Sequence, residues 1–147
     1  MKISFWKLAS VLVVLTMPLG VAAQKEGGAV APFAGGGKQL TSEQALKEVP
    51  KLEKSFIPLE KSFKAAAAKL KKSPKDAKVK KAYVDAAYKY GHTVMTAQGK
   101  LSPRIMYRAA LALYRKALKV DPKHKPSLED KKLIEDIYKQ MGMSIPK

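Results

Sequence analysis

The side chains that could carry out chemistry are few, and they lie far apart along the chain. Among 147 residues there is no cysteine, and the two histidines, His92 and His124, are separated by 32 positions. Neither has a carboxylate or a second histidine at the short spacing that zinc and iron sites need. The sequence also lacks the motifs G-x-S-x-G and H-E-x-x-H, which mark nucleophilic serines and zinc hydrolases. We therefore expect a non-enzymatic protein with no catalytic residue, no metal and no cofactor.

The strongest chemical signal is instead an excess of positive charge. The chain has 29 Lys+Arg against 12 Asp+Glu, which gives a net charge of +17. A solvated lysine surface explains most of this excess, and its long-range field would also attract anionic lipids or glycans. Specific nucleic-acid binding is not expected, because no recognised reading module is present and the aromatic residues lie on apolar helix stripes. The densest run contains seven lysines: Lys69, Lys71, Lys72, Lys75, Lys78, Lys80 and Lys81.

The N-terminus has the three-part layout of a secretory signal peptide. Lys2 and Lys7 give a basic start, residues 8–19 form an apolar run, and residues 21–23 form a small-residue cleavage site. We predict a signal peptide over residues 1–23 and an exported protein, periplasmic or secreted, with no transmembrane span after cleavage. The alternative is an uncleaved segment that tethers the chain to a membrane, although the apolar run is shorter than the roughly 20 residues of a spanning helix.

Glycines dominate the next segment. Gly27, Gly28, Pro32 and residues 35–37 cannot sustain a helix, so we predict a flexible linker over residues 24–40. A glycine-rich phosphate loop is a poor alternative, because no strand precedes these glycines and no Lys-Ser/Thr pair closes the motif.

From Thr41 onward, apolar residues recur at helical spacing, which predicts a helical domain over residues 41–147. Thr41 and Gln44 have the spacing of a capping box for a short helix that ends near Pro50. The following helix is either kinked by Pro58 or begins afresh with that proline in its first turn.

The later helix boundaries have clear signals as well. Asp76 opens the third helix, and Ser102 with Pro103 opens the fourth as N-cap and first helical residue. The last helix is predicted over residues 127–141, with Ser127 as its N-cap. His124 precedes it in a lysine-rich segment, where we expect a solvated side chain.

The small and aromatic residues of the third and fourth helices have a spacing that resembles the tetratricopeptide repeat. That repeat reads W-x-x-L-G-x-x-Y in its first half, and A-x-x-x-F, then A and P in its second half. About eleven additional residues, within 91–102, separate the two halves here relative to the roughly 34-residue repeat. The matching positions are Tyr83, Ala86, Ala87, Tyr90, Ala110, Tyr114, Ala117 and Pro122.

The resemblance implies an all-α fold in which antiparallel helix pairs stack as a short right-handed array, with the last helix as a cap. A generic antiparallel helical bundle is the alternative. Repeats of this kind bind peptides in a concave groove lined by first-helix residues. At those positions this chain has Lys81, Val84, Tyr88 and His92.

Two functions are therefore open at the level of sequence. The resemblance implies an exported, non-catalytic interaction or scaffold protein that holds a protein or peptide partner in this groove. The positive charge indicates the alternative, an envelope-associated structural protein held on anionic lipids or glycans.

Overall fold

The computed structural model describes residues 40–147, and these residues form five α-helices without a strand. This confirms the predicted all-α class for the described part of the chain. The predicted signal peptide and the predicted linker, except for Leu40, lie outside the described residues. The helices are α1 (Ser42–Leu52), α2 (Ile57–Lys72), α3 (Ala77–Met95), α4 (Pro103–Val120) and α5 (Lys125–Gln140), with a 3-10 turn, Lys54–Phe56, before α2.

Local side-chain chemistry sets most helix ends where the sequence predicts them. The backbone N–H of Gln44 donates to the Thr41 hydroxyl at 3.2 Å, and the Gln44 side chain accepts from the Thr41 N–H at 2.8 Å, which completes the capping box. Asp76 caps α3 by accepting from the N–H of Lys78 at 2.7 Å. Pro58 lies in the first turn of α2, so this helix begins afresh rather than kinking.

The predicted N-cap of the last helix is wrong. His124, rather than Ser127, caps α5, and its Nδ1 lies 2.8 Å from the Ser127 hydroxyl oxygen. Because Pro126 suits the first turn of a helix, α5 begins before it, at Lys125, and Ser127 becomes a buried residue of that turn. His124 is consequently half-buried and not the solvated residue that its lysine-rich surroundings indicate. At the other end, Gly142 has φ +64°, a left-handed conformation that glycine adopts readily just after a helix.

Helix α4 is the centre of the fold. Residues 108–114 are all buried, so about two turns of this helix have no solvent face. Helices α1, α3 and α5 cover it, and α2 packs on the outer side of α3. Contacts of α2 with α3, α3 with α4, and α4 with α5 follow chain order, as in a stacked array, but the large α1–α4 contact joins distant segments.

The residues that match the repeat signature lie mostly in this core. Ala86 is half-buried and Pro122 is exposed. The buried members are Tyr83, Ala87, Tyr90, Ala110, Tyr114 and Ala117.

Gly91 marks the closest approach of α3 to α4. A Cβ atom added at this position would lie 2.8 Å from Cε1 of Tyr114 and 3.3 Å from Cβ of Leu113, and both of these side chains are fully buried. The absence of a side chain at Gly91 therefore permits the packing of α3 on α4.

We predict that Gly91→Ala lowers the free energy of unfolding by about 1–2 kcal/mol, because overpacking outweighs the gain in helix propensity. Urea unfolding followed by circular dichroism measures the effect. Thr93→Ala, at an exposed position of the same helix, is the control and should change stability by less than about 0.5 kcal/mol. A Gly91→Ala variant as stable as the parent would contradict the close approach.

Candidate functional site

The candidate site is a cluster of rings at the junction of α3, α4 and α5. Tyr88 of α3 lies at its centre and is half-exposed. The centroid of its ring is 5.6 Å from that of His92, 6.0 Å from that of Tyr114, and 5.4 Å from that of His124, which it meets edge to face. Such tilted ring pairs are attractive beyond the area that they bury, so Tyr88 is held in a defined position.

Asp130 of α5 connects the three helices of this cluster. Its Oδ2 accepts a hydrogen bond from the Tyr114 hydroxyl at 3.0 Å and lies 2.9 Å from Nδ1 of His92. Because a carboxylate only accepts, Nδ1 of His92 carries the proton in this pair. The Asp130 side chain is 18% exposed and that of His92 is 48% exposed, so the pair lies at the edge of the core and faces solvent through the imidazole.

The environment keeps both tyrosines of the cluster neutral. Burial raises the pKa of Tyr114 far above its usual value, and the neighbouring carboxylate of Asp130 adds to that effect. The pKa of Tyr88 is raised by the same two causes in the same order. Both hydroxyl groups therefore remain hydrogen-bond donors across the physiological range, and neither is activated as a base or a nucleophile.

A surface cavity of about 450 Å³ lies beside the ring cluster. The first half of α3 supplies Lys80, Lys81 and Val84, and the end of α4 and the following turn supply Val120, Asp121 and His124. His124 belongs both to the cavity wall and to the ring cluster, so the two features form one continuous surface, which we call the Tyr88 surface. It combines an aromatic platform with two ammonium groups, of Lys80 and Lys81, and two carboxylates, of Asp85 and Asp121.

The four predicted groove residues divide between the two parts of this surface. Lys81 and Val84 line the cavity, where Lys81 pairs with Asp85 at 2.7 Å and Val84 is buried. Tyr88 and His92 belong to the ring cluster.

Sequence reasoning missed the contributions of Tyr114, His124 and Asp130 to this surface. Asp130 is 38 residues from His92, and no local pattern signals that the two side chains pair. For His124, Pro126 two residues later was a usable signal, because a proline in a first turn places the N-cap just before it.

Two kinds of feature are absent from the described residues. No group of three or more histidine, cysteine or carboxylate side chains in residues 40–147 is placed to hold a metal ion. In the same part of the chain, no helix has both the length and the apolar content that crossing a membrane requires.

Comparison with known proteins adds no assignment. The chain matches no protein-family model, and neither a search of curated proteins nor a search of solved structures finds a significant match.

We predict that Tyr114→Phe lowers the free energy of unfolding by about 2 kcal/mol at neutral pH, because it removes the hydrogen bond to the charged Asp130. Tyr90→Phe is the matched control. Tyr90 is equally buried, but its hydroxyl has no hydrogen-bond partner within residues 40–147, so its removal should change stability by less than about 0.5 kcal/mol. Equal losses in urea unfolding would contradict the role of the Tyr114–Asp130 bond.

The buried tyrosines also lead us to predict that the folded protein loses stability at alkaline pH. Burial raises the pKa of Tyr90, Tyr114 and Tyr138 in the folded state, so their contribution is complete below the unfolded pKa of about 10 and decreases as the pH rises above it. Above that pH, Tyr90→Phe should lose stability less steeply than the parent, by up to about 1.4 kcal/mol per pH unit. Urea unfolding at several alkaline pH values tests this, and identical slopes would contradict it.

Proposed function

We propose that this chain is a non-catalytic binding protein that holds a peptide segment of a partner protein on the Tyr88 surface. The observation that carries the proposal is the half-exposed ring of Tyr88, which is fixed by three neighbouring rings and adjoins a cavity edged by Lys80 and Lys81. A rigid tyrosine beside a pocket is a typical anchor of an interface, because little side-chain entropy is lost when the partner binds.

The ammonium group of Lys80 favours one class of peptide. Lys80, Lys81, Asp85 and Asp121 all line the cavity, so its formal charges balance. Within the described residues Asp85 pairs with Lys81, and Lys80 has no carboxylate within ion-pair distance. A segment with an apolar or aromatic side chain next to a carboxylate would pack on Tyr88 and pair with Lys80. Such complementarity increases association rate and selectivity more than affinity.

The proposal also includes export of the protein and a scaffold role related to its repeat-like helices. The layout of residues 1–23 supports secretion to a periplasm or an extracellular space, or tethering through an uncleaved signal. The tetratricopeptide-like spacing supports a scaffold role, and the buried aromatic and alanine positions of α3 and α4 are compatible with it.

We predict that Tyr88→Ala lowers partner capture about 10-fold or more, because it removes the central anchor of the interface. The tagged chain is used as bait in an envelope extract, and captured proteins are quantified by mass spectrometry. Lys81→Gln should lower capture less. The control is Lys64→Gln, which breaks an equivalent i,i+4 ion pair, with Glu60, on α2.

The Lys64→Gln variant should capture as much partner as the parent, and circular dichroism should show the same helicity for every variant. Undiminished capture by a folded Tyr88→Ala variant would contradict the proposed surface.

A second candidate function rests on a different observation. The seven lysines between Lys69 and Lys81 are all exposed, and Lys81 alone among them has a carboxylate partner within the described residues. This concentration of unpaired charge favours retention on an anionic envelope polymer through the protein's field.

The two candidates differ in their response to salt and to substitution. Retention by charge should be lost at high salt, because exposed charges are screened beyond about 10 Å at 0.1 M. It should decrease in Lys71→Gln/Lys72→Gln/Lys75→Gln and remain unchanged in Tyr88→Ala. Binding that survives high salt and depends on Tyr88 would favour the peptide surface and contradict the charge-retained role.

A further inference from the structure

A second cavity, of about 390 Å³, lies where α1, α4 and α5 meet, and it shares no lining residue with the Tyr88 surface. Ser42 and Glu43 of the first turn of α1 form one wall. Of the charged side chains that line it, Glu43 is the single acid. The cationic side chains come from α4, from α5 and from the segment after α5: Arg115, Lys116, Lys119, Lys131 and Lys147.

The nearby carboxylates neutralise only two of these five cations. Lys116 pairs with Glu43 at 2.7 Å, and Lys131 pairs with Glu135 at 2.7 Å. Arg115, Lys119 and Lys147 have no carboxylate partner within residues 40–147, and Nη1 of Arg115 makes only a long hydrogen bond, of 3.4 Å, to the Ser42 hydroxyl.

The placement of these cations is electrostatically unfavourable in the free protein. Arg115 and Lys119 are four residues apart, so they lie on the same face of α4, and like charges at this spacing destabilise a helix. The helix cannot turn to separate them from Lys131, because its residues 108–114 and Ala117 are held in the core. A bound anion would remove this repulsion.

We propose that this cavity binds a multivalent oxyanion of the phosphate or phosphate-monoester class. The planar guanidinium of Arg115 can donate two hydrogen bonds to one phosphate, and Lys119 and Lys147 add point charges. A monovalent carboxylate would leave two of the three cations unneutralised. A cavity of this volume is near the lower end of the range for small-ligand sites, which suits a phosphate group with a small substituent.

The site is built from side chains and not from the end of a helix. The first amide of α1, that of Ser42, already donates to the backbone oxygen of Lys147 at 2.9 Å. This bond brings Lys147 to the cavity, so the segment after α5 contributes to the site.

The test is a titration of the full chain with inorganic phosphate and with glycerol phosphate, at constant ionic strength maintained with sodium chloride. We expect a dissociation constant below about 1 mM and a rise in melting temperature with phosphate that chloride does not reproduce. Absence of saturable binding for both phosphate compounds would overturn the proposal.

Two variants that each remove two positive charges distinguish a specific phosphate site from general electrostatic attraction. Arg115→Gln/Lys119→Gln should weaken phosphate binding about 10-fold or more, because the guanidinium that donates two hydrogen bonds and one ammonium charge are lost. Lys71→Gln/Lys75→Gln removes the same charge from the exposed end of α2 and the turn after it, and should change binding less than about 2-fold. Equal losses in the two variants would overturn the proposal.

A measurement on the parent protein covers the case in which the first variant does not fold. Amide chemical shifts should change on phosphate addition near Arg115, Lys119 and Lys147, and not near Lys71 and Lys75. Uniform changes at both places would overturn the site. Tyr88→Ala should bind phosphate like the parent, so a failure here is distinct from a failure of the proposed peptide surface.

Vesicles distinguish a soluble phosphate ester from a lipid headgroup. Vesicles of phosphatidic acid and of phosphatidylserine are compared at matched surface charge. Preference for phosphatidic acid, lost in Arg115→Gln/Lys119→Gln, identifies a headgroup as the source. Equal binding to both vesicles, together with site-specific binding of glycerol phosphate, identifies a soluble ester.

Discussion

The burial of the middle of α4 on all sides is the constraint on which the rest of this fold depends. A helix with residues 108–114 fully in the interior must be covered by several neighbours, and α1, α3 and α5 provide that cover. One of the buried residues is Arg108, whose guanidinium would be costly to bury without acceptors. It donates to the carbonyl oxygen of Leu40, so the backbone that enters α1 is fixed by the same central helix.

Covering a central helix with three others leaves seams where neighbouring helices meet over it, and the two proposed binding surfaces lie in two of these seams. The α3–α4–α5 seam is occupied by rings and is closed by Asp130, which bonds to Tyr114 on one side and pairs with His92 on the other. The α1–α4–α5 seam carries cations around an open cavity. Both surfaces follow from one packing arrangement, because the buried middle of α4 fixes the rotation of this helix and so which of its residues border each neighbour.

Signals that act over a few residues predicted the helices well, and contacts between distant segments were not predictable. Asp76 and Pro103 each set a helix start through their own capping or backbone chemistry. The capping role of His124 was missed because serine is the more usual N-cap residue and Ser127 stood nearby. The His92–Asp130 pair depends on how α5 docks, which no local pattern encodes, so the sequence predicted half of the ring cluster and not its carboxylate.

The repeat-like spacing of α3 and α4 has a physical meaning that does not depend on kinship. Two helices that approach as closely as Gly91 approaches Tyr114 need small residues at the contact, and Ala87 of α3 and Ala117 of α4, which share one buried cluster, meet that need. Large rings must then fill the space on either side, as Tyr90 and Tyr114 do. Close packing of the two helices is therefore a sufficient reason for the alanine and tyrosine spacing. The proposed binding role rests instead on Tyr88, whose ring is ordered by its neighbours and yet remains half-exposed.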